Sequence, residues 1–206
     1  MRSGLFRLAA VATFAAGLLA APAFAPLAWT PLPHASAACP GVEVVFARGR
    51  EEPPGLGAVG DALTNSLRAK VPNMSVGAYG VNYPANIDVE SGANDMAGHV
   101  QSMARSCPDT REVLGGYSLG AEVADVATAG RIPPGMDRHV AAVALFGNGT
   151  HHVAPAFAGK TIDQCAQGDP ICKPGIHDMH WSSHLQPSYI DSGLVDQAAN
   201  FVAGRL

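Results

Sequence analysis

The stretch Gly116-Tyr117-Ser118-Leu119-Gly120 decides how this sequence is interpreted. Residues 112–115 before it predict the end of a buried strand, and residues 121–127 after it predict a helix. Ser118 is therefore expected at a sharp strand-to-helix turn, which is the setting of a nucleophile elbow. The two glycines have a steric reason, because a side chain at either position would collide with the neighbouring strand or helix.

The same pentapeptide could arise by chance in a chain with 23 glycines. Two downstream residues argue against chance, because Asp169 and then His184 follow Ser118 in the order that α/β-hydrolases use for their nucleophile, acid and base. The turn would also direct the Leu119 amide and the positive end of a helix towards a developing oxyanion. Ser118, Asp169 and His184 are accordingly the candidate catalytic residues.

Residues 1–37 are expected to form a cleavable secretory signal peptide. Arg2 and Arg7 form a basic start, an apolar stretch covers residues 8–21, and Ala35-Ser36-Ala37 supplies a small-residue cleavage site. The alternative is a retained anchor helix over residues 8–25, which approaches the minimum spanning length. Pro22 interrupts that stretch and Pro26 directly follows it. Cleavage near Ala37 is therefore the favoured interpretation, and it predicts secretion.

The remaining residues 38–206 are expected to form one domain. Removal of residues 1–37 takes away two arginines and no acidic residue, which leaves 11 basic and 17 acidic side chains. This acidic balance gives no attraction to nucleic acid or to an anionic membrane surface.

The chain has four cysteines, Cys39, Cys107, Cys165 and Cys172, all after the predicted cleavage site. An even number in an exported chain predicts two disulfides, for which three pairings are possible. Cys165 and Cys172 are the natural local pair. Zinc is the competing use of cysteine, but no C-x2-C pair exists.

Strand and helix patterns alternate along the chain. Strands are predicted at residues 42–46, 76–81, 112–115 and 139–146, with a shorter one ending near residue 162. Helices are predicted after residue 55, over residues 88–107 and over residues 194–205. This order predicts a three-layer α/β/α sandwich around a mostly parallel sheet.

Two other patterns have ordinary explanations. Residues 55–60 match G-x-G-x-x-G, but two prolines separate them from the strand and no carboxylate follows at the required distance, so no dinucleotide site is expected.

His99 and His139 are expected at surface positions. His177, His180 and His184 lack the further ligands that a metal site needs.

Four segments of the sequence resemble the cutinase family, most closely the secreted cutinase-like proteins of mycobacteria. They are Ala47-Arg48-Gly49 after the first strand, residues 116–121, Gly168-Asp169-Pro170-Ile171-Cys172, and a histidine shortly before Tyr189-Ile190. The resemblance spans essentially all of residues 39–206. It implies an α/β-hydrolase without a large lid that acts as a serine carboxylesterase on short to medium acyl esters.

The resemblance also implies roles for individual residues. Ser118 would be the nucleophile, Asp169 the acid and His184 the base, with the backbone of Leu119 and Arg50 donating to the oxyanion. It further implies the disulfides Cys39–Cys107 and Cys165–Cys172. The chain departs from the family at two positions, since Arg50 stands where Ser or Thr is usual and Leu119 stands where many members have Gln.

The expected partner is an ester or lipid substrate, and the expected state is a monomer without metal or organic cofactor. Association with the cell envelope stays open. A phospholipase or thioesterase could use the same residues, because a triad does not encode the leaving group. A catalytically weak protein that binds lipid or a host partner is the alternative from another class.

Overall fold

The computed structural model describes residues 39–172 and 180–206. Its centre is a sheet of five parallel strands in the order β2-β1-β3-β4-β5. The strands are β1 (Val42–Ala47), β2 (Val76–Gly80), β3 (Arg111–Tyr117), β4 (Val140–Phe146) and β5 (Thr161–Gln164). All five strands that the sequence predicts are present, and the predicted sheet is confirmed.

Six α-helices occur in the described part of the chain. They are α1 (Gly57–Lys70), α2 (Val89–Ser106), α3 (Leu119–Val126), α4 (Pro155–Ala158), α5 (Pro187–Ile190) and α6 (Leu194–Ala203). Asp88 caps α2, since its carboxylate accepts a hydrogen bond from the Ser91 amide. A π-helical turn (Ala127–Arg131) extends α3, and 3-10 turns cover Met136–His139 and Trp181–His184.

Two apolar cores lie on opposite faces of the sheet. Along β1, Val45 packs into the core beneath α2 and α3, whereas Val44 and Phe46 pack into the core beneath α1 and α6. This alternation follows from the two-residue period of a strand. Every residue of β4 is buried, as expected for a parallel strand that helices cover on both sides. The predicted three-layer α/β/α sandwich is therefore confirmed.

Two disulfides are present. Cys39 is joined to Cys107, which ties the start of the described chain to the end of α2. Cys165 is joined to Cys172 across a short loop after β5. Within residues 39–172 and 180–206, no helix combines the length and the apolar character needed to cross a membrane.

The parallel topology gathers several loops at one edge of the sheet. The segments after β1, β3, β4 and β5 all leave the sheet at the carboxyl ends of their strands. This is the edge where open α/β sheets bind their ligands. Arg50, Ser118, Asp169 and His184, which the sequence analysis singles out, lie in the segments that follow β1, β3 and β5.

Candidate active site

Ser118 lies at the turn between β3 and α3 with φ 55° and ψ −121°. Few residues with a side chain adopt this backbone conformation. A Cβ atom at Gly116 would lie 1.9 Å from the Gly120 carbonyl oxygen, and one at Gly120 would lie 1.9 Å from the Ala47 carbonyl oxygen. Both glycines are thus sterically required, as the sequence predicts, because backbone atoms occupy the space that a side chain would fill.

His184 lies between Ser118 and Asp169. Its Nε2 atom is 2.8 Å from Ser118 Oγ, and its Nδ1 atom is 2.7 Å from Asp169 Oδ2. An ionised carboxylate only accepts hydrogen bonds, so Nδ1 donates to Asp169 and Nε2 is left to accept from the serine hydroxyl. Both His184 and Asp169 are buried, while Ser118 is half-buried.

Tyr117 contacts both the backbone and the ring of His184. Its hydroxyl donates a hydrogen bond to the His184 carbonyl oxygen, and the two rings stack with their centroids 5.6 Å apart. Burial raises the pKa of Tyr117 well above its usual value, so the hydroxyl stays protonated and remains a donor. Tyr117, at the first variable position of the G-x-S-x-G pattern, therefore supports His184. The pattern alone does not indicate this role.

Asp169 is positioned by the loop that Cys165 and Cys172 close. Its Oδ1 atom accepts a hydrogen bond from the Ile171 amide at 2.7 Å, and its Oδ2 atom accepts a second one from the Tyr189 hydroxyl. Burial, and then the hydrogen bond to Asp169, raise the pKa of Tyr189 well above its usual value. In the sequence analysis, Tyr189 is used only to locate His184, which precedes it.

The loop after β1 is braced before it reaches Arg50. The buried Arg48 guanidinium donates to the carbonyl oxygens of Glu52 and Tyr83, each at 2.7 Å. The Glu52 carboxylate accepts from the amides of Gly49 at 2.6 Å and Ala58 at 3.1 Å. These contacts fix the loop against α1.

Arg50 and Leu119 border the same cleft as Ser118. Among the described residues, neither of their amides donates to another group. Leu119 is the first residue of α3, where amide groups have no partner within the helix. Both amides are therefore free to donate to a ligand.

The cleft has a volume of about 550 Å³. The described residues that line it are Arg50, Glu51, Tyr117, Ser118, Leu119, Glu122, Gly149, Thr150, Ile171, Trp181, His184, Leu185 and Gln186. Trp181 is 65% exposed and Leu185 is 46% exposed, so the rim next to His184 is apolar and open to solvent. Such a rim favours contact with an apolar part of a substrate.

A buried carboxylate shapes the other side of the cleft. Asp125 Oδ2 accepts hydrogen bonds from the side chains of Asn148 at 3.0 Å and Thr150 at 2.6 Å, and from the His152 amide at 2.9 Å. This network fixes the loop after β4. The sequence carries no periodic or motif signal for it, because its members are far apart along the chain.

The structure brings together Ser118, Asp169 and His184, the three residues predicted as nucleophile, acid and base. His180 is exposed, and its amide donates to the Gly168 carbonyl oxygen at 3.0 Å. His177 lies outside the described residues.

Comparison with known proteins gives the family. The family model described as Cutinase matches residues 38–206. The chain is 50% identical to "Probable carboxylesterase Culp2" of Mycobacterium tuberculosis, over 96% of this chain and 94% of that protein. It is 48% identical to "Phospholipase Culp4" of the same species, over 98% of this chain and 92% of that protein.

Solved structures agree with this result. A Trichoderma reesei cutinase in complex with a phosphonate inhibitor is 33% identical, with a TM-score of 0.66 over 81% of this chain and 76% of that one. An acetylxylan esterase has a TM-score of 0.69 over 82% of this chain and 99% of that one, and at 24% identity it supports the fold alone. The chain therefore belongs to the cutinase family, and the protein is a carboxylic ester hydrolase.

Proposed function

We propose that the protein is an exported serine esterase in which Ser118, His184 and Asp169 form the catalytic triad. The observation that carries the proposal is the continuous hydrogen-bonded chain from Ser118 Oγ through His184 to Asp169 at the edge of an open cleft. This arrangement has the geometry and the partners that nucleophilic catalysis by serine requires.

In the proposed reaction, Ser118 Oγ attacks the ester carbonyl carbon while His184 Nε2 takes the hydroxyl proton. The tetrahedral intermediate collapses, the bond to the alcohol oxygen breaks, and His184 returns the proton to the departing alcohol. Water then attacks the acyl-enzyme with His184 again as the base, which releases the acid and restores Ser118. Asp169 keeps the imidazole in the required tautomer and stabilises its charged form.

The amides of Leu119 and Arg50 are the proposed oxyanion donors. Both border the cleft beside Ser118, and neither donates elsewhere among the described residues. Donors that are fixed before the reaction stabilise the oxyanion without having to reorganise, and one such donor is typically worth about 10²- to 10³-fold in turnover. The Arg48 and Glu52 contacts provide this fixation on the Arg50 side.

The proposed substrates are esters of short to medium acyl chains. The cleft is open, and the exposed side chains of Trp181 and Leu185 offer an apolar surface at its rim. The test is a series of matched esters of increasing acyl length, with Ser118→Ala as the control. Activity and labelling by an organophosphonate should both be lost in the variant. Full activity in Ser118→Ala would overturn the proposal.

A phospholipase is the second candidate, because the similar protein Culp4 carries that name. The catalytic geometry is equally suitable for an oxygen ester of a phospholipid, and for a thioester. Parallel assays on one acyl chain presented as a simple ester, a thioester and a phospholipid distinguish the three. A lipid-binding protein with little activity would bind phospholipid vesicles yet hydrolyse none of these substrates.

We further propose that residues 1–37 are a signal peptide, that the mature protein begins after Ala37, and that it is a secreted monomer. The two disulfides are consistent with an oxidising compartment. Amino-terminal sequencing of the exported protein tests the cleavage site, and sedimentation tests the oligomeric state. Fractionation into culture medium and cell envelope tests whether the protein remains at the envelope.

A further inference from the structure

A second cluster of ionisable side chains lies at the opposite end of the sheet from Ser118. Glu43 of β1 and Glu112 of β3 are direct partners across these parallel strands. His99 projects from α2, and its Nε2 atom lies 2.8 Å from Glu43 Oε2. One potential ligand atom of each residue lies within 4.8 Å of the other two. Since a strand rises ~3.3 Å per residue, Glu112 lies roughly 20 Å from Ser118.

Glu112 is unusual because it is a buried carboxylate without a hydrogen-bond partner among the described residues. Its side chain is 0% exposed, and among the described residues neither carboxylate oxygen has a hydrogen-bond partner. Burial raises the pKa of Glu112 to about 7, because removal from water penalises the charged form. A buried carboxylate beside a second carboxylate is unfavourable unless a proton or a cation compensates its charge.

The other two members are oriented and accessible. The His99 ring stacks on the Tyr79 ring with centroids 3.7 Å apart and an angle of 9° between the planes. The Tyr79 hydroxyl donates to Asp95 Oδ2 at 2.9 Å, which fixes the ring that supports His99. The side chains of His99 and Glu43 are 18% and 13% exposed, so solvent reaches the cluster from one side.

We propose that Glu43, His99 and Glu112 bind a divalent transition-metal ion, and that Zn²⁺ suits them best. One imidazole nitrogen and two carboxylate oxygens are a suitable donor set for zinc, with water in the remaining position. Zinc bonds of ~2 Å in a tetrahedron separate neighbouring ligand atoms by roughly 3.3 Å. That separation is larger than the 2.8 Å between His99 Nε2 and Glu43 Oε2, and it is smaller than the 4.8 Å within which all three ligand atoms lie of one another.

The bound ion would join β1, β3 and α2, which supply the three ligands. It would neutralise the buried charge of Glu112 and stabilise the fold at the amino ends of these strands. Because the site is remote from Ser118, the ion is not expected to take part in ester hydrolysis.

The test titrates the purified, metal-free protein with Zn²⁺ against a chromophoric chelator. The variants are His99→Ala and Glu112→Gln, and the matched control is His139→Ala, a half-buried histidine outside the cluster. One equivalent of Zn²⁺ should bind the wild type and His139→Ala alike. His99→Ala and Glu112→Gln should each bind at least ~10-fold more weakly, since each removes a ligand. Ester hydrolysis should be unchanged in both.

Zinc-edge X-ray absorption of the loaded wild type provides a second measurement that needs no variant. It should show oxygen ligands with one imidazole in the first shell. Equal affinity in the wild type and His99→Ala would overturn the proposal, as would a loss confined to only one of the two variants. Lack of binding at about 100 µM Zn²⁺, which corresponds to a binding free energy weaker than about −5.5 kcal/mol, would likewise overturn the proposal.

Discussion

Ser118 has a backbone conformation that costs of order 1–3 kcal/mol and persists only where the surroundings enforce it. The enforcing contacts are backbone atoms packed against Gly116 and Gly120. This conformation presents the hydroxyl to His184, and among the described residues the Leu119 amide that follows has no hydrogen-bond partner. At this scale, the proposed chemistry depends on a few side chains whose separate contributions can be measured.

His184, and not the nearby His180, is predicted to be the general base. His184→Ala should lower kcat by about 10³-fold or more, because the loss of a triad member removes base catalysis as a whole. His180→Ala should change kcat by at most a few fold, since His180 is exposed and, among the described residues, it is engaged near Asp169 through its backbone alone. The measurement is kcat for both variants on one soluble ester. A larger loss in His180→Ala than in His184→Ala contradicts the assignment.

Tyr189 is predicted to act as a positioning residue through Asp169. Tyr189→Phe removes the hydroxyl that donates to Asp169 Oδ2 and leaves the ring in place. A hydrogen bond to a charged group is worth about 1.5–3 kcal/mol. We therefore expect kcat to fall about tenfold or more with KM nearly unchanged.

Phosphonate labelling of Ser118 in Tyr189→Phe should slow in parallel with kcat, because both reactions need an oriented His184. A purely structural role for Tyr189 would lower the melting temperature and leave both rates of the folded enzyme unchanged.

At the scale of elements, the loops at the carboxyl edge of the sheet differ from the strands in how they are held. The strands are fixed by regular ladders and by two apolar cores. The loops are fixed by single side chains that accept or donate several hydrogen bonds, such as Arg48, Glu52 and Asp125. Removing one such side chain should therefore disturb one loop and spare the sheet.

Glu52→Ala is predicted to lower kcat by about 10-fold, because the loop that presents the Arg50 amide loses its contacts to Gly49 and Ala58. The control is Asp61→Ala, an exposed carboxylate of α1. Both variants are compared by kcat and by circular dichroism. Unchanged kcat in Glu52→Ala would show that the Arg50 amide is not an oxyanion donor, or that its loop needs no brace.

Loss of the Cys165–Cys172 disulfide should affect activity more than stability. The bridge closes a separation of 7 residues, for which chain entropy predicts about 2.4 kcal/mol. The loop carries Asp169, so Cys165→Ala with Cys172→Ala should lower kcat at temperatures where the fold remains intact. Loss of activity only in step with loss of secondary structure would refute this order.

At the scale of the whole molecule, the Cys39–Cys107 disulfide is predicted to contribute more to the free energy of unfolding than the Cys165–Cys172 disulfide. It closes a separation of 68 residues, for which chain entropy predicts about 4.4 kcal/mol. Cys39→Ala with Cys107→Ala should lower the free energy of unfolding by about this amount, measured by denaturant titration. The folded enzyme should keep its kcat, because this disulfide lies at the opposite end of the sheet from Ser118. A larger loss of kcat here than in the Cys165 and Cys172 pair would contradict the division between the two bridges.

His99 shows where the prediction from the sequence is wrong. His99 was expected at a surface position, but its side chain is only 18% exposed and is engaged by Glu43 and Tyr79. The helical pattern of α2 correctly predicts which apolar residues are buried. It does not indicate that His99, a polar residue beside them, contacts Glu43 on a strand. That contact depends on where α2 packs across β1.

The sequence by itself determined the five strands, the four longer helices, the three-layer fold and the candidates Ser118, Asp169 and His184, whereas it gave no signal for the short helices α4 and α5. These follow from local causes, since apolar periodicity sets the elements and the two glycines permit the turn at Ser118. Only the tertiary structure decided which side chains support those candidates. Tyr189 reaches Asp169, and Asp125 holds the loop after β4. The tertiary structure also decided that Glu112 lies opposite Glu43, far from Ser118. Such contacts join residues far apart in the chain, and the strand order and packing that create them have no local signal.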